Sequence, residues 1–75
     1  MGRQLIGGWV QLRVDGDNVF LEAAVAERGF TIDVEHNGPE TVEVEFKSES
    51  HDSKLTARMH DGRLDIEIDE ESHDD

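Results

Sequence analysis

Three of the four histidines are each followed directly by an aspartate, and such pairs can bind a metal ion or exchange protons. The pairs are His51-Asp52, His60-Asp61 and His73-Asp74. A hairpin formed by the C-terminal part of the chain would bring His51 close to His73 and leave His60 at its opposite end. No helical H-x-x-x-H spacing fixes two ligands on one face. We therefore expect solvent-exposed histidines, with no metal site and no cofactor.

Other signatures of catalysis or ligand binding are missing from the sequence. It contains no G-x-S-x-G, H-E-x-x-H or P-loop motif. Asp15-Gly16-Asp17-Asn18 begins like a calcium loop, but the later ligands and the closing glutamate are absent, so we predict a hairpin turn there. The serines fall in residues 48–53 and in the C-terminal tail, where a mobile backbone would not hold a nucleophile in place. We expect no enzymatic activity.

The chain carries a net charge of −12, and it has no cysteine. This charge argues against direct binding to nucleic acids or anionic membranes, because both require positive charge at the contact. No apolar run approaches the roughly 20 residues of a membrane span, and no secretory signal is visible, so we expect a cytoplasmic protein. The acidity has two explanations: solubility in a salty environment, or a surface that binds a basic partner.

Alternating apolar and polar residues, separated by turn-forming residues, run through most of the chain. They predict a mainly β fold, an antiparallel up-and-down meander of about six short strands that closes as a small barrel or a flattened sandwich. The alternating segments are residues 9–14, 19–25, 30–35, 41–47, 55–59 and 63–69. We expect a single domain over residues 1–75, with flexible ends at 1–8 and 70–75.

The turns predict how the strands pair, because opposed residues in an antiparallel hairpin share a face and their numbers have a constant sum. Asp61-Gly62 favours a type I′ turn. This turn predicts the pairs Met59–Leu64, Ala57–Ile66 and Leu55–Ile68. The loop at Asn37 predicts Val34–Val42, Ile32–Val44 and Phe30–Phe46, and the first turn predicts Val14–Val19, Leu12–Leu21 and Val10–Ala23. Apolar residues meet apolar residues throughout, whereas a one-residue slip would reverse the faces.

Residues 19–28 also fit a helix. Asn18 could cap its start and Gly29 could end it. The apolar stripe of this helix would consist of Phe20, Leu21, Ala24 and Val25. Such a helix would cover one face of a five-stranded antiparallel sheet. Strand and helix both remain open for this segment.

The predicted pairing concentrates negative charge on one outer surface. Asp33 would face Glu43, Thr31 would face Glu45, and a turn at Arg28-Gly29 would place Glu22 opposite Glu35. The expected strip consists of Glu22, Asp33, Glu35, Glu43 and Glu45. Opposed like charges are destabilising, so the strip calls for salt screening, a bound cation or a basic partner. The last hairpin balances its own charge, with Lys54 facing Asp69 and Arg58 facing Asp65.

Trp9, the only tryptophan, falls on the outward face together with Gln11 and Arg13. An exposed aromatic side chain is typical of an interface, although Trp9 could also cap an open end of the core. We predict a non-enzymatic module that binds a basic protein, or another copy of itself, through the strip and Trp9. The alternatives are an acidic inhibitor that mimics nucleic acid, and a cation-dependent or halophilic structural domain.

Overall fold

The computed structural model describes residues 1–73, and these contain seven β-strands and no helix. The strands are β1 (Gly2–Gln4), β2 (Gly8–Asp15), β3 (Asn18–Ala26), β4 (Thr31–Asn37), β5 (Thr41–Lys47), β6 (His51–His60) and β7 (Arg63–Ser72). The mainly β prediction is confirmed. The alternative helix at 19–28 does not form, because a tight turn at Gly16-Asp17 brings residues 19–26 into β3, which pairs with β2.

The strands form two antiparallel sheets, in the orders β1-β2-β3 and β4-β5-β6-β7. They pack into a flattened sandwich with principal extents of 43 × 19 × 18 Å. Residues 2–4 and 70–72, which the sequence predicted to be flexible, belong to β1 and β7. Asp74 and Asp75, included in that same prediction, lie outside the described residues.

The core lies between the two sheets. Its buried hydrophobic side chains are Leu5, Val10, Leu12, Val19, Val42, Val44, Phe46, Leu55 and Ala57. The connection from β1 to β2 closes one end of the core over Phe46. A Cβ atom at Gly7 would lie only 2.7 Å from the Phe46 Cβ, so the backbone can approach this side chain because residue 7 is glycine.

The predicted β6–β7 pairing is confirmed for all three apolar pairs. Asp61 and Gly62 both have positive φ, 51° and 75°, as a type I′ turn requires. The first hairpin is correct at Val14–Val19 and Leu12–Leu21 but wrong beyond them.

A β-bulge at Glu22 causes the error in the first hairpin, and Val10 pairs with Ala24 instead of Ala23. An extra residue in a strand exchanges its two faces from that point on. Ala24 and Ala26 therefore pack against the core, whereas Ala23 and Val25 turn outward.

The predicted pairing of β4 with β5 is wrong by two residues. Val34 pairs with Val44, and Ile32 pairs with Phe46. The inward and outward faces are still correct, because a shift of two preserves the alternation. The register also changes at a bulge at Glu35, between Val34 and His36. Phe30 precedes β4 and packs edge-on against His51, with ring centroids 6.3 Å apart.

Candidate functional site

The outer face of the four-stranded sheet gathers four of the five predicted strip residues, Asp33, Glu35, Glu43 and Glu45. Asp33 lies opposite Glu45, which corrects the predicted Asp33–Glu43 pair. Glu43 lies opposite His36, and Glu35 occupies the neighbouring bulge. We call these four residues the acidic strip. It lies on β4 and β5, and the strand alternation that buries Val42, Val44 and Phe46 turns its carboxylates outward.

Two lysines compensate part of the acidic strip. Lys47 Nζ lies 3.5 Å from an Asp33 oxygen and 3.7 Å from a Glu45 oxygen. Glu45 first, and then Asp33, raise the pKa of Lys47 by stabilising its charge. Lys54 faces Asp69 as predicted. Its Nζ lies 3.8 Å from a Glu43 oxygen, so its charge compensates part of the acidic strip.

Glu35 and Glu43 are the least compensated part of the acidic strip. Hydrogen bonding with Glu43, followed by repulsion from the Glu43 charge, raises the pKa of Glu35. The same hydrogen bond lowers the pKa of Glu43, and Lys54 acts in the same direction. Lys54 compensates Glu43 in part, and a proton or a further cation would relieve the remaining repulsion between the two carboxyl groups.

Glu22 does not belong to the acidic strip. The sequence predicted that Arg28-Gly29 would form a turn that pairs β3 with β4, but these strands belong to different sheets. Glu22 lies at the β3 bulge, exposed on the three-stranded sheet. The prediction was wrong because a short connection between two strands can also cross from one sheet of a sandwich to the other.

Trp9 lies on the outer face of the three-stranded sheet and is 36% exposed. The bulge places Val25, 58% exposed, opposite it. On the same face, the Arg13 guanidinium stacks 4.8 Å from the centre of the Phe20 ring. We call Trp9, Phe20 and Val25 the Trp9 patch. It lies on the opposite side of the sandwich from the acidic strip, so the two surfaces do not form one continuous site.

A buried polar cluster joins the two sheets, and the sequence reasoning missed it. Ser53 is fully buried and accepts a hydrogen bond from the Gly7 amide at 2.9 Å. The Ser53 hydroxyl donates to Glu70, whose other oxygen accepts from the Ile6 amide at 3.0 Å. His51 Nε2 lies 2.8 Å from Glu70 Oε1. The predicted β6–β7 register contained the signal for this cluster, since it also pairs Ser53 with Glu70 on the inward face.

The hydrogen bonds of this cluster hold parts of the fold together. Partial burial acts to raise the pKa of Glu70, but the hydrogen bonds from Ser53, His51 and the Ile6 amide outweigh it and hold the pKa below its usual value. Ser53 and His51 both contact the same carboxylate oxygen. A nucleophilic serine needs open access to substrate as well as a base, and Ser53 is fully buried. The carboxylate instead anchors the β1–β2 connection to β7.

The histidines considered for a cation site have different side-chain partners. His73 Nε2 pairs with Asp52 at 3.0 Å, whereas His51 contacts Glu70 and Ser72. Within residues 1–73, no group of three or more His, Asp or Glu side chains is arranged to hold a metal ion. Asp74 lies outside the described residues.

No helix able to span a membrane occurs in the part of the chain that the structure describes. The sequence matches no protein-family model and no curated protein, and the fold matches no solved structure.

Proposed function

We propose that this protein is a non-enzymatic interaction module that binds a basic partner protein through the acidic strip on β4 and β5. The observation that carries the proposal is the acidic strip itself, in which Glu35 at the β4 bulge lies beside Glu43 of β5. Two carboxyl groups on an open strand surface repel each other in the free protein, and a lysine or arginine from a partner would relieve that repulsion.

Self-association through the acidic strip is the weaker form of this proposal. A second copy would bring the same carboxylates and a further net charge of −12 to the contact. The Trp9 patch carries no carboxylate, has Arg13 stacked on Phe20 and faces the other way, so it would serve a separate contact. A basic partner at the strip is therefore favoured by charge.

The test compares two double variants that remove the same amount of charge. Glu35→Gln with Glu43→Gln removes two carboxylates from the acidic strip, and Asp65→Asn with Glu67→Gln removes two from the outer face of β7. Calorimetry with an oligolysine peptide at low salt measures the affinity of each variant. We expect the strip variant to bind about tenfold more weakly, a loss typical of one charged contact, and the β7 variant to bind nearly as well as the original protein. Equal weakening of both would show attraction to net charge alone and would contradict the proposal.

A further inference from the structure

We infer that the free edge of β4 binds its partner as an added strand, in which basic side chains alternate with apolar ones. This inference rests on the proposed function and names the class of partner, an extended peptide segment. Strand addition is a common mode of peptide recognition, in which main-chain hydrogen bonds supply affinity and alternating side chains supply specificity.

The backbone of β4 is available for this pairing. β4 is the edge of the four-stranded sheet, and within residues 1–73 only β5 pairs with it. All seven of its residues, Thr31–Asn37, are exposed. Every second N–H and C=O group of an edge strand points away from its neighbour, and these groups can accept an incoming strand.

The inward side of β4 offers two uncovered apolar side chains. Ile32 pairs with Phe46, and Val34 pairs with Val44, so both face the interior side of the sheet. Phe46 and Val44 are fully buried, yet Ile32 remains 40% exposed and Val34 remains 45% exposed. The three-stranded sheet therefore covers β5 but leaves the margin at β4 open. Apolar side chains at alternate positions of an added strand would cover this margin.

The outward side of β4 determines which side chains fit the remaining positions of the incoming strand. Asp33 and Glu35 lie there, beside Glu43 and Glu45 of β5. Because successive side chains point to opposite faces, a strand that places apolar residues beside Ile32 and Val34 places its other residues beside these carboxylates. Lysine or arginine fits those positions, whereas β4 of a second copy would oppose them with its own carboxylates.

The other edge of the same sheet, β7, is a poorer acceptor. Leu64 and Ile66 are half-buried and pack against the core, and the inward Glu70 is committed to Ser53, His51 and Ile6. An inward-pointing charge is a known protection of an edge strand. Ile68 on β7 is 38% exposed, which makes it a matched control position for Val34.

Three capped peptides of equal charge test the inference. One alternates lysine and valine, one carries the same residues in two blocks, and one alternates them with a methyl group on every backbone amide nitrogen. We expect the alternating peptide to bind about tenfold more tightly than either of the others, since only it can add both side-chain and main-chain contacts. It should also slow hydrogen exchange at β4 amides that point away from β5. Val34→Lys should abolish the preference for alternation, and Ile68→Lys should leave it intact.

The contradicting outcomes separate this inference from the proposed function. Equal, salt-sensitive affinities for all three peptides, without slower exchange in β4, would overturn strand addition and leave the acidic strip as a basic-partner surface. Absence of binding by every peptide at low salt would overturn both. Retention of the alternating preference in Val34→Lys would place the added strand at another edge and also contradict the inference.

Discussion

At the scale of single residues, Glu35 and Glu70 show how the same side-chain type takes opposite roles. Glu70 receives donors from three residues, and its pKa is lowered even though burial opposes this. Glu35 meets another carboxylate, and its pKa is raised. The amino-acid type and the alternating pattern placed Glu35 on an acidic surface, but its contact with Glu43 depends on a bulge that alternation does not encode. Glu70 was assigned to a flexible tail because its neighbours in sequence are charged.

Replacing Glu70 with glutamine should destabilise the fold by about 1 kcal/mol, because the amide keeps one acceptor oxygen for Ser53 but loses the negative charge and the second acceptor. Urea unfolding at neutral pH measures the loss, and Glu67→Gln, on the outer face of the same strand, should change stability by less than about 0.5 kcal/mol. Because the pKa of Glu70 is lowered on folding, its contribution is present above the usual carboxyl pKa and is lost as the pH falls through the lowered value. The difference between Glu70→Gln and the original protein should shrink on acidification. A difference independent of pH would contradict the role of the ionised carboxylate.

Replacing Glu35 with glutamine should have the opposite effect on stability and stabilise the fold. The raised pKa of Glu35 means that its ionised form is disfavoured in the folded state, so the cost is present at neutral pH and disappears as the group becomes protonated. Glu35→Gln should therefore raise the urea midpoint at neutral pH and leave it nearly unchanged in acid. Glu40→Gln, in the exposed β4–β5 loop, is the control for loss of charge alone. A midpoint that rises equally in both variants would show that the contact with Glu43 carries no special cost.

At the scale of strands, the sequence predicted pairings best where the turn was shortest. The β6–β7 register was correct because Asp61-Gly62 allows one tight turn geometry. The β4–β5 loop is longer and β4 contains a bulge. The observed pairing of β4 with β5 therefore differs from the prediction by two residues, although the same residues face inward. Neither a turn sequence nor an alternating pattern distinguishes a hairpin from a connection that crosses between sheets. The predicted pairing of β3 with β4 was therefore wrong.

The crossing places the β4–β5 loop against β3, and Gly38 makes this contact possible. A Cβ atom at Gly38 would collide with the Val19 carbonyl oxygen and lie 2.9 Å from Phe20 Cδ1. Gly38→Ala should cost about 3 kcal/mol or more, because both backbone strain and overpacking contribute. Gly29→Ala is the matched control: Gly29 also has positive φ, at 91°, but no atom lies within 4 Å of the added Cβ. Gly29→Ala should lower the free energy of unfolding by about 1–2 kcal/mol from backbone strain alone. Equal losses for the two variants in urea unfolding would contradict close packing of the loop on β3.

At the scale of the whole molecule, the two outer faces have different characters. The four-stranded sheet presents the acidic strip, and the three-stranded sheet presents the Trp9 patch. Composition predicted the excess of negative charge, and alternation predicted that Asp33, Glu35, Glu43 and Glu45 would share a face. The separation of Trp9 and Glu22 from that face could not be predicted, since it follows from the division of the strands into two sheets.

The most direct test of the acidic strip is a map of amide chemical shifts in the isotope-labelled protein as the alternating lysine–valine peptide is added. The predicted result is a set of saturable shifts concentrated in residues 31–37 and 41–47, with little change in β7 or around Trp9. This pattern should be lost in the variant that combines Glu35→Gln with Glu43→Gln. Shifts spread evenly over the acidic residues of β4, β5 and β7, or concentrated around Trp9, would contradict the account.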